Sequence, residues 1–382
     1  MQIPQEFDAI RPYTPEELPR VFDELLADAQ FVSVARSLMG DMPEEVLRAQ
    51  LRSCPTNLDV QKAFFYPLLK KLLAKCSTSC DLDAAALPEH SANYTFISNH
   101  RDIVLDSALL CILLLDNGFS TTVEIAIGDN LLIYPWIEKL VRVNKSFIVR
   151  RSVGIREMLQ ASALMSRYMH FAVAEKHENI WIAQREGRAK DSNDRTQESV
   201  LKMMAMGGEG TPAERLASLH IVPLAISYEY DPCDYLKARE FQQRRDDAHF
   251  QKSRQDDLES MQTGIFGFKG RIHYAAAPCI NEWLPEVAEL PKAQFFAEVA
   301  RRIDREIHRR YRLYPINYVA ADLLHGDRAF AAHYTAAEAE AAERYFAERV
   351  GMVQLPAPDA RFLREQLLVM YANPVVNQQA AL

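Results

Sequence analysis

The sequence predicts an α/β fold: a mostly parallel or mixed sheet flanked by helices, with helical extensions at both ends. Two observations carry this. From about residue 92, short β-rich runs recur: YTFIS (94–98), TTVEIAI (121–127), KSFIVR (145–150), NIWIAQ (179–184), HIVPLAISY (220–228) and GRIHYAA (270–276). Helical stretches such as VGIREMLQASALMSRYMHFAV (153–173) lie between them. Strand, helix, strand repetition is how a largely parallel sheet is built. In such sheets chemistry gathers at loops beyond strand ends.

Three regions follow: a helical segment over 1–90, a central domain over 91–325 and a helical tail over 326–382. Thr14-Pro15-Glu16-Glu17 is a helix start, with Thr as cap and Pro in the first turn. Asp41-Met42-Pro43-Glu44-Glu45 is a second. Residues 63–75, AFFYPLLKKLLAK, allow two readings. One is a core helix with Lys70 and Lys71 in solvent. The other is a basic amphipathic helix resting on anionic lipid through Phe64, Phe65, Leu68, Leu69, Lys70 and Lys71. Residues 236–258, LKAREFQQRRDDAHFQKSRQDDL, are almost all polar and read as a solvated helix or surface insertion. The Ala/Glu/Arg-rich stretch from Asp327 reads as two helices.

Composition narrows the function. Hydrophobic residues make up 48% of the 382 and charged residues 25%, enough for a sizeable core. The net charge of −8 argues against bulk nucleic-acid binding, which needs a basic surface. Any anion site must be locally basic. The six cysteines lack zinc-ligand spacing and read as free thiols in a reducing compartment. The polar N-terminus MQIPQEFDAI does not read as a signal peptide. The best apolar run, ALLCILLL (108–115), is too short to span a bilayer. The expectation is a cytoplasmic protein, peripheral at the inner face of the membrane.

Residues 98–107, SNHRDIVLDS, contain the His-Arg-Asp of a protein-kinase catalytic loop. Ser107 stands where the kinase metal-binding Asn belongs, and no Gly-rich loop or Asp-Phe-Gly accompanies it. What remains is His100 at a strand end with acids at Asp102 and Asp106. A carboxylate-held His is a general base. Without a Gly-x-Ser-x-Gly elbow, the hydroxyl it activates belongs to a substrate. Arg150 and Arg151 end another strand and can grip a phosphate with forked donors. Arg185, Glu186, Gly187, Arg188 and Lys190 follow a third, forming either a surface salt-bridge cluster or an anion site. Pro223, inside HIVPLAISY, predicts an edge strand or a bulge.

The order of these blocks, N-H-R-D, F-I-V-R-R, R-E-G-R and I-V-P-L-A-I-S-Y, resembles the glycerolipid acyltransferase superfamily, which includes the glycerol-3-phosphate and 1-acylglycerol-3-phosphate acyltransferases. The resemblance covers about residues 92–325 and implies that family's α/β fold. It implies acyl transfer from acyl-coenzyme A or acyl carrier protein to a hydroxyl of a glycerol-phosphate acceptor, at a membrane surface, with no metal or bound cofactor. His100 is then the general base. Arg150, Arg151, Glu186, Gly187 and Arg188 bind the phosphate-bearing acceptor, and Pro223 shapes the acyl-donor side. Two departures stand out. The family's H-x-x-x-x-D spacing would fall on Leu105, so the partner is Asp106 if the turn absorbs one residue, with Asp102 as the alternative. Arg188 follows Gly187 directly, where the family more often has an intervening Thr. These departures keep open a lysophospholipid or amino-acid-lipid acceptor, or a non-catalytic lipid-binding protein.

Overall fold

A computed structural model describes residues 3–39, 42–150 and 154–382. The chain opens with short helices: α1 (Leu18–Leu26), α2 (Ala29–Met39), α3 (Glu44–Arg52) and α4 (Asn57–Val60). α1 begins just after Glu17, whose carboxylate accepts from the Thr14 amide at 2.7 Å and from Arg11 at 2.6 Å. Of the second predicted start, Asp41 lies outside the described residues; α3 begins directly after Pro43. A π-helical turn, Gln61–Phe65, leads into α5 (Tyr66–Cys76).

The predicted 1–90 region also holds a strand that the sequence reading missed, β1 (Ser79–Asp83). The remaining strands follow the β-rich runs: β2 (Thr95–Ser98), β3 (Val123–Gly128), β4 (Ser146–Val149), β5 (Asn179–Ala183), β6 (Ile221–Tyr228) and β7 (Arg271–Ala276). Among the described residues they form one open mixed sheet in the order β1-β7-β6-β2-β5-β3-β4. β6, β2, β5, β3 and β4 are mutually parallel, β7 is antiparallel to β6, and β1 is parallel to β7. The carboxyl ends of the five parallel strands therefore share one edge with the starts of β1 and β7.

Helices cover both faces. α6 (Leu105–Asp116) and α5 pack on one, where Phe96, Trp181, Leu224 and Tyr274 are buried. α7 (Pro135–Val143) joins the N-terminal helices over Phe31 and Val143. α8 (Ile155–Ala174), α9 (Glu198–Met204) and α10 (Pro212–Ala217) pack on the other face with α13 (Lys292–Arg309), over Ile97, Ile180 and Ala225. α11 (Asp234–Asp246) and α12 (Arg254–Phe266) occupy the predicted surface insertion.

That segment departs from its expected solvated state. Lys237, Glu240 and Gln242 are buried because each has a polar partner: Asp231 for Lys237, Lys190 for Glu240, and the Ala357 carbonyl for Gln242. Buried polar groups survive when paired in this way. α14 (Pro315–His325), α15 (Ala336–Gly351) and α16 (Ala360–Ala381) form a further core around Phe346, Leu367 and Tyr371. Through α16 this core packs against α11 and α13.

Pro223 corrects the edge-or-bulge expectation: β6 is a central strand, paired on both sides. Proline is tolerated because its carbonyl accepts from Ala277 at 2.8 Å, just beyond the end of β7. A residue's N–H and C=O point to the same side of a strand, so the missing donor faces the place where that ladder has ended.

Candidate functional site

β2 ends at Ser98, and the chain leaves the sheet through Asn99. The Asn99 side chain holds this exit by bonding both backbone groups of Ile226, at 2.9 Å and 2.8 Å. His100 follows. Its Nδ1 lies 2.8 Å from Oδ2 of Asp106, in the first turn of α6. Asp106 is fully buried, whereas the His100 side chain keeps 13% exposure. Asp106 Oδ2 also accepts from the Arg101 amide (2.6 Å) and the Asp102 amide (3.1 Å), and Oδ1 accepts from the Tyr228 hydroxyl (3.1 Å). Four donors therefore converge on this one carboxyl group. A carboxylate at Nδ1 makes that nitrogen the N–H donor and leaves the lone pair on Nε2. Nε2 has no hydrogen bond among the described residues.

Asp102 has a different role. Its Oδ1 accepts from the Val104 and Leu105 amides at 2.9 Å and 2.8 Å, capping the start of α6. Burial, then the like charge of Asp106, pushes its carboxyl above the ordinary aspartate range. This cap folds the 101–104 turn into a loop that takes up the extra residue between His100 and Asp106. Behind it, Arg101 is buried against Asp194 at 2.7 Å. Asp194 also accepts from the Tyr311 hydroxyl at 2.5 Å.

On the neighbouring strand, Ser98 pairs with Ala183, so both chains leave the sheet at the same edge, with His100 two residues past the end of β2 and Arg185 two residues past the end of β5. Residues 184–197 form a closed loop. The Gln197 amide donates to the Gln184 carbonyl (2.9 Å), and the Glu186 amide to Oε1 of Gln197 (2.8 Å). Gly187 takes φ +69°, a conformation a Cβ would strain. Glu186 is exposed, while Arg185 and Arg188 are half-buried. Arg185 Nε and Arg188 Nη1 are buried atoms with no hydrogen-bond partner among the described residues. Buried donors without partners are rare, and an anionic ligand is one group that would satisfy them.

Arg150 is exposed at the end of β4. It lies three strand positions from β2, about 14 Å along the same edge. Arg151 lies outside the described residues. Pro223 is buried opposite Ile97, three residues back from His100, and does not reach the carboxyl edge.

The sequence reading missed Tyr228 and Tyr274. Tyr274 donates to the Asp106 carbonyl at 3.0 Å. Tyr228 ends the ISY block, and its parity along β6 puts it on the α6 face. That signal becomes usable only once β6 is known to lie beside β2.

No protein-family model matches the chain, and no curated protein is a detectable relative. Among solved structures, it is similar to the 1-acyl-sn-glycerophosphate acyltransferase PlsC of Thermotoga maritima, at 14% identity over 75% of this chain and 95% of that one. The TM-score is 0.32, below the level at which fold or function can be carried across.

Proposed function

We propose that this chain is an acyltransferase that moves a fatty acyl group from a thioester, acyl-coenzyme A or acyl carrier protein, to a hydroxyl of glycerol 3-phosphate or 1-acylglycerol 3-phosphate. The observation that carries the reading is one arrangement. His100 is held at Nδ1 by Asp106 2.8 Å away, with Nε2 open, and the loop after the neighbouring strand carries two arginines whose buried nitrogens lack partners among the described residues. The order of the sequence blocks adds to it.

In this mechanism the acceptor hydroxyl gives its proton to His100 Nε2 as its oxygen attacks the thioester carbonyl. Asp106 stabilises the imidazolium that results. The carbon–sulfur bond then breaks, and the thiolate takes the proton back from His100. Arg185 and Arg188, with Arg150 further along the edge, hold the acceptor phosphate, and Arg151 is assigned to the same role from its place in the sequence block; Gly187 permits the turn that carries Arg188. Both reactants are bound together, which lowers the entropic barrier.

Thiol release from acyl-coenzyme A and acyl carrier protein donors tests this, with phosphate-bearing and phosphate-free acceptors. The expected result is phosphate-acceptor-dependent release that His100→Ala abolishes. Arg185→Gln and Arg188→Gln should each raise KM for the phosphate acceptor about tenfold or more. Release of equal rate without a phosphate on the acceptor would move the reading to another lipid acceptor. No release with any acceptor from folded protein would overturn it.

A further inference from the structure

The end of α12 and the residues up to Lys269 form a turn that leads into β7 at the carboxyl edge of the parallel strands. It presents Phe266, 60% exposed, and Phe268, 53% exposed. Lys269, in contrast, is fully buried. Its Nζ donates to the carbonyls of Gly267 (2.7 Å) and Ile265 (3.2 Å), and its amide donates to the Cys76 carbonyl at 2.7 Å. With two backbone carbonyls and Cys76 Sγ (3.6 Å) as its partners, the buried Lys269 Nζ fixes this turn with its two phenylalanines outward. Gly267 is required there, since a Cβ would lie 2.4 Å from the Pro232 side chain. Exposing two phenylalanines on a fixed turn forgoes hydrophobic stabilisation, and exposed aromatic pairs with a charged rim mark interaction sites.

The rim is basic. Cys76, which the turn grips, ends α5, and one helical turn separates Lys71 from Lys75, putting both on one face of that helix. Both lysines are exposed and have no ion pair among the described residues, whereas Lys70 is bound to Asp116 at 2.5 Å. The other apolar residues proposed for lipid contact in 63–75 do not share this exposure. Phe64 and Phe65 pack against the N-terminal helices, and Leu69 against the α6 face. The turn also adjoins the dyad: a Cβ at Gly264, in the last turn of α12, would lie 2.0 Å from Asp102 Oδ2.

We infer that Phe266 and Phe268, flanked by Lys71 and Lys75, dock the protein on an anionic lipid bilayer, with the His100 edge turned toward it. The two aromatics enter the headgroup boundary and the lysines meet lipid phosphate. The inference rests on the lipid-substrate reading above and names the surface that would reach the lipid.

The test is sedimentation with phosphatidylcholine vesicles with and without phosphatidylglycerol, measured without turnover. Wild type should bind the anionic vesicles, more weakly as salt rises. Phe266→Ala/Phe268→Ala should weaken binding about a hundredfold, and Lys71→Gln/Lys75→Gln about tenfold or more. Both double variants should keep wild-type melting temperatures and activity on detergent-dispersed acceptor. The fluorescence of the Phe266→Trp variant should shift to the blue on anionic vesicles and be quenched by brominated lipid. Unchanged binding by both double variants, or an indole at position 266 that brominated lipid leaves unquenched, would overturn the inference. So would self-association that the phenylalanine variants abolish in the absence of lipid. An enzyme that turns over dispersed acceptor but ignores vesicles removes the docking surface alone; vesicle binding without thiol release removes the catalytic reading alone.

Discussion

The Tyr228 hydroxyl donates to Asp106 Oδ1 at 3.1 Å, and it is the sole donor to that oxygen among the described residues, while Oδ2 takes His100 and two backbone amides. Burial, then the neighbouring Tyr274 and Asp106, pushes the Tyr228 phenol well above its ordinary range, so it stays a donor. Tyr228 therefore fixes the carboxylate that fixes the imidazole.

Removing that hydroxyl leaves a buried carboxylate oxygen without its donor, a loss of about 1–3 kcal/mol. Tyr228→Phe is expected to lower kcat about tenfold with KM for both substrates unchanged. Steady-state kinetics check this, and a fall in kcat matched by a rise in KM would assign Tyr228 to packing instead.

The two aspartates near His100 should separate cleanly on substitution. Asp106→Asn presents an amide to Nδ1 and favours the wrong tautomer, and kcat should fall about 10³–10⁴-fold. Asp102→Asn keeps a capping oxygen and removes no required charge, so activity should stay within about threefold. Comparable losses in the two variants would dissolve the distinction between relay and cap.

Gly264 tests how rigid the dyad turn is. A Cβ there would lie 2.0 Å from Asp102 Oδ2, inside any allowed contact, so α12 must shift or the Asp102 side chain must leave its cap on the Val104 and Leu105 amides. Gly264→Ala should destabilise the protein by about 1–3 kcal/mol despite alanine's better helix propensity. Urea unfolding measures it; a stabilised variant would mean that the α12 contact gives way freely.

The strands of the central domain were legible because each is a short apolar run bounded by turn residues. β1 was not: SCDLD has a single buried residue, Leu82, and the strand exists because β7 pairs with it. His100 and both acids could be found from spacing, but the choice between the acids depends on a capped turn whose geometry no periodicity encodes. The burial of Lys237 and Glu240 was invisible for a similar reason. Their partners, Asp231 and Lys190, lie on other elements, so a polar run reads as solvated until the fold supplies counter-charges. Pro223 misled because the rule concerns a missing donor, and here the ladder ends where the donor would have been needed.

Asp304 gives a stability prediction with a definite sign. Burial pushes its carboxyl up to about 6, against the hydrogen bonds that Thr196 donates through its hydroxyl (2.6 Å) and amide (2.7 Å). Its folded value lies above its unfolded one, so the unfolded chain releases this proton first as pH rises. The residue's contribution is therefore most favourable below the ordinary aspartate range. It declines as pH rises toward 6 and stays unfavourable above that, by roughly 3 kcal/mol in all. Asp304→Asn keeps an oxygen for both Thr196 donors and has no proton to lose. Relative to wild type, the variant should gain stability as pH rises from 4 to 7, read from urea midpoints at each pH. A stability difference that does not vary with pH across that window would show that Asp304 titrates as an ordinary exposed carboxyl.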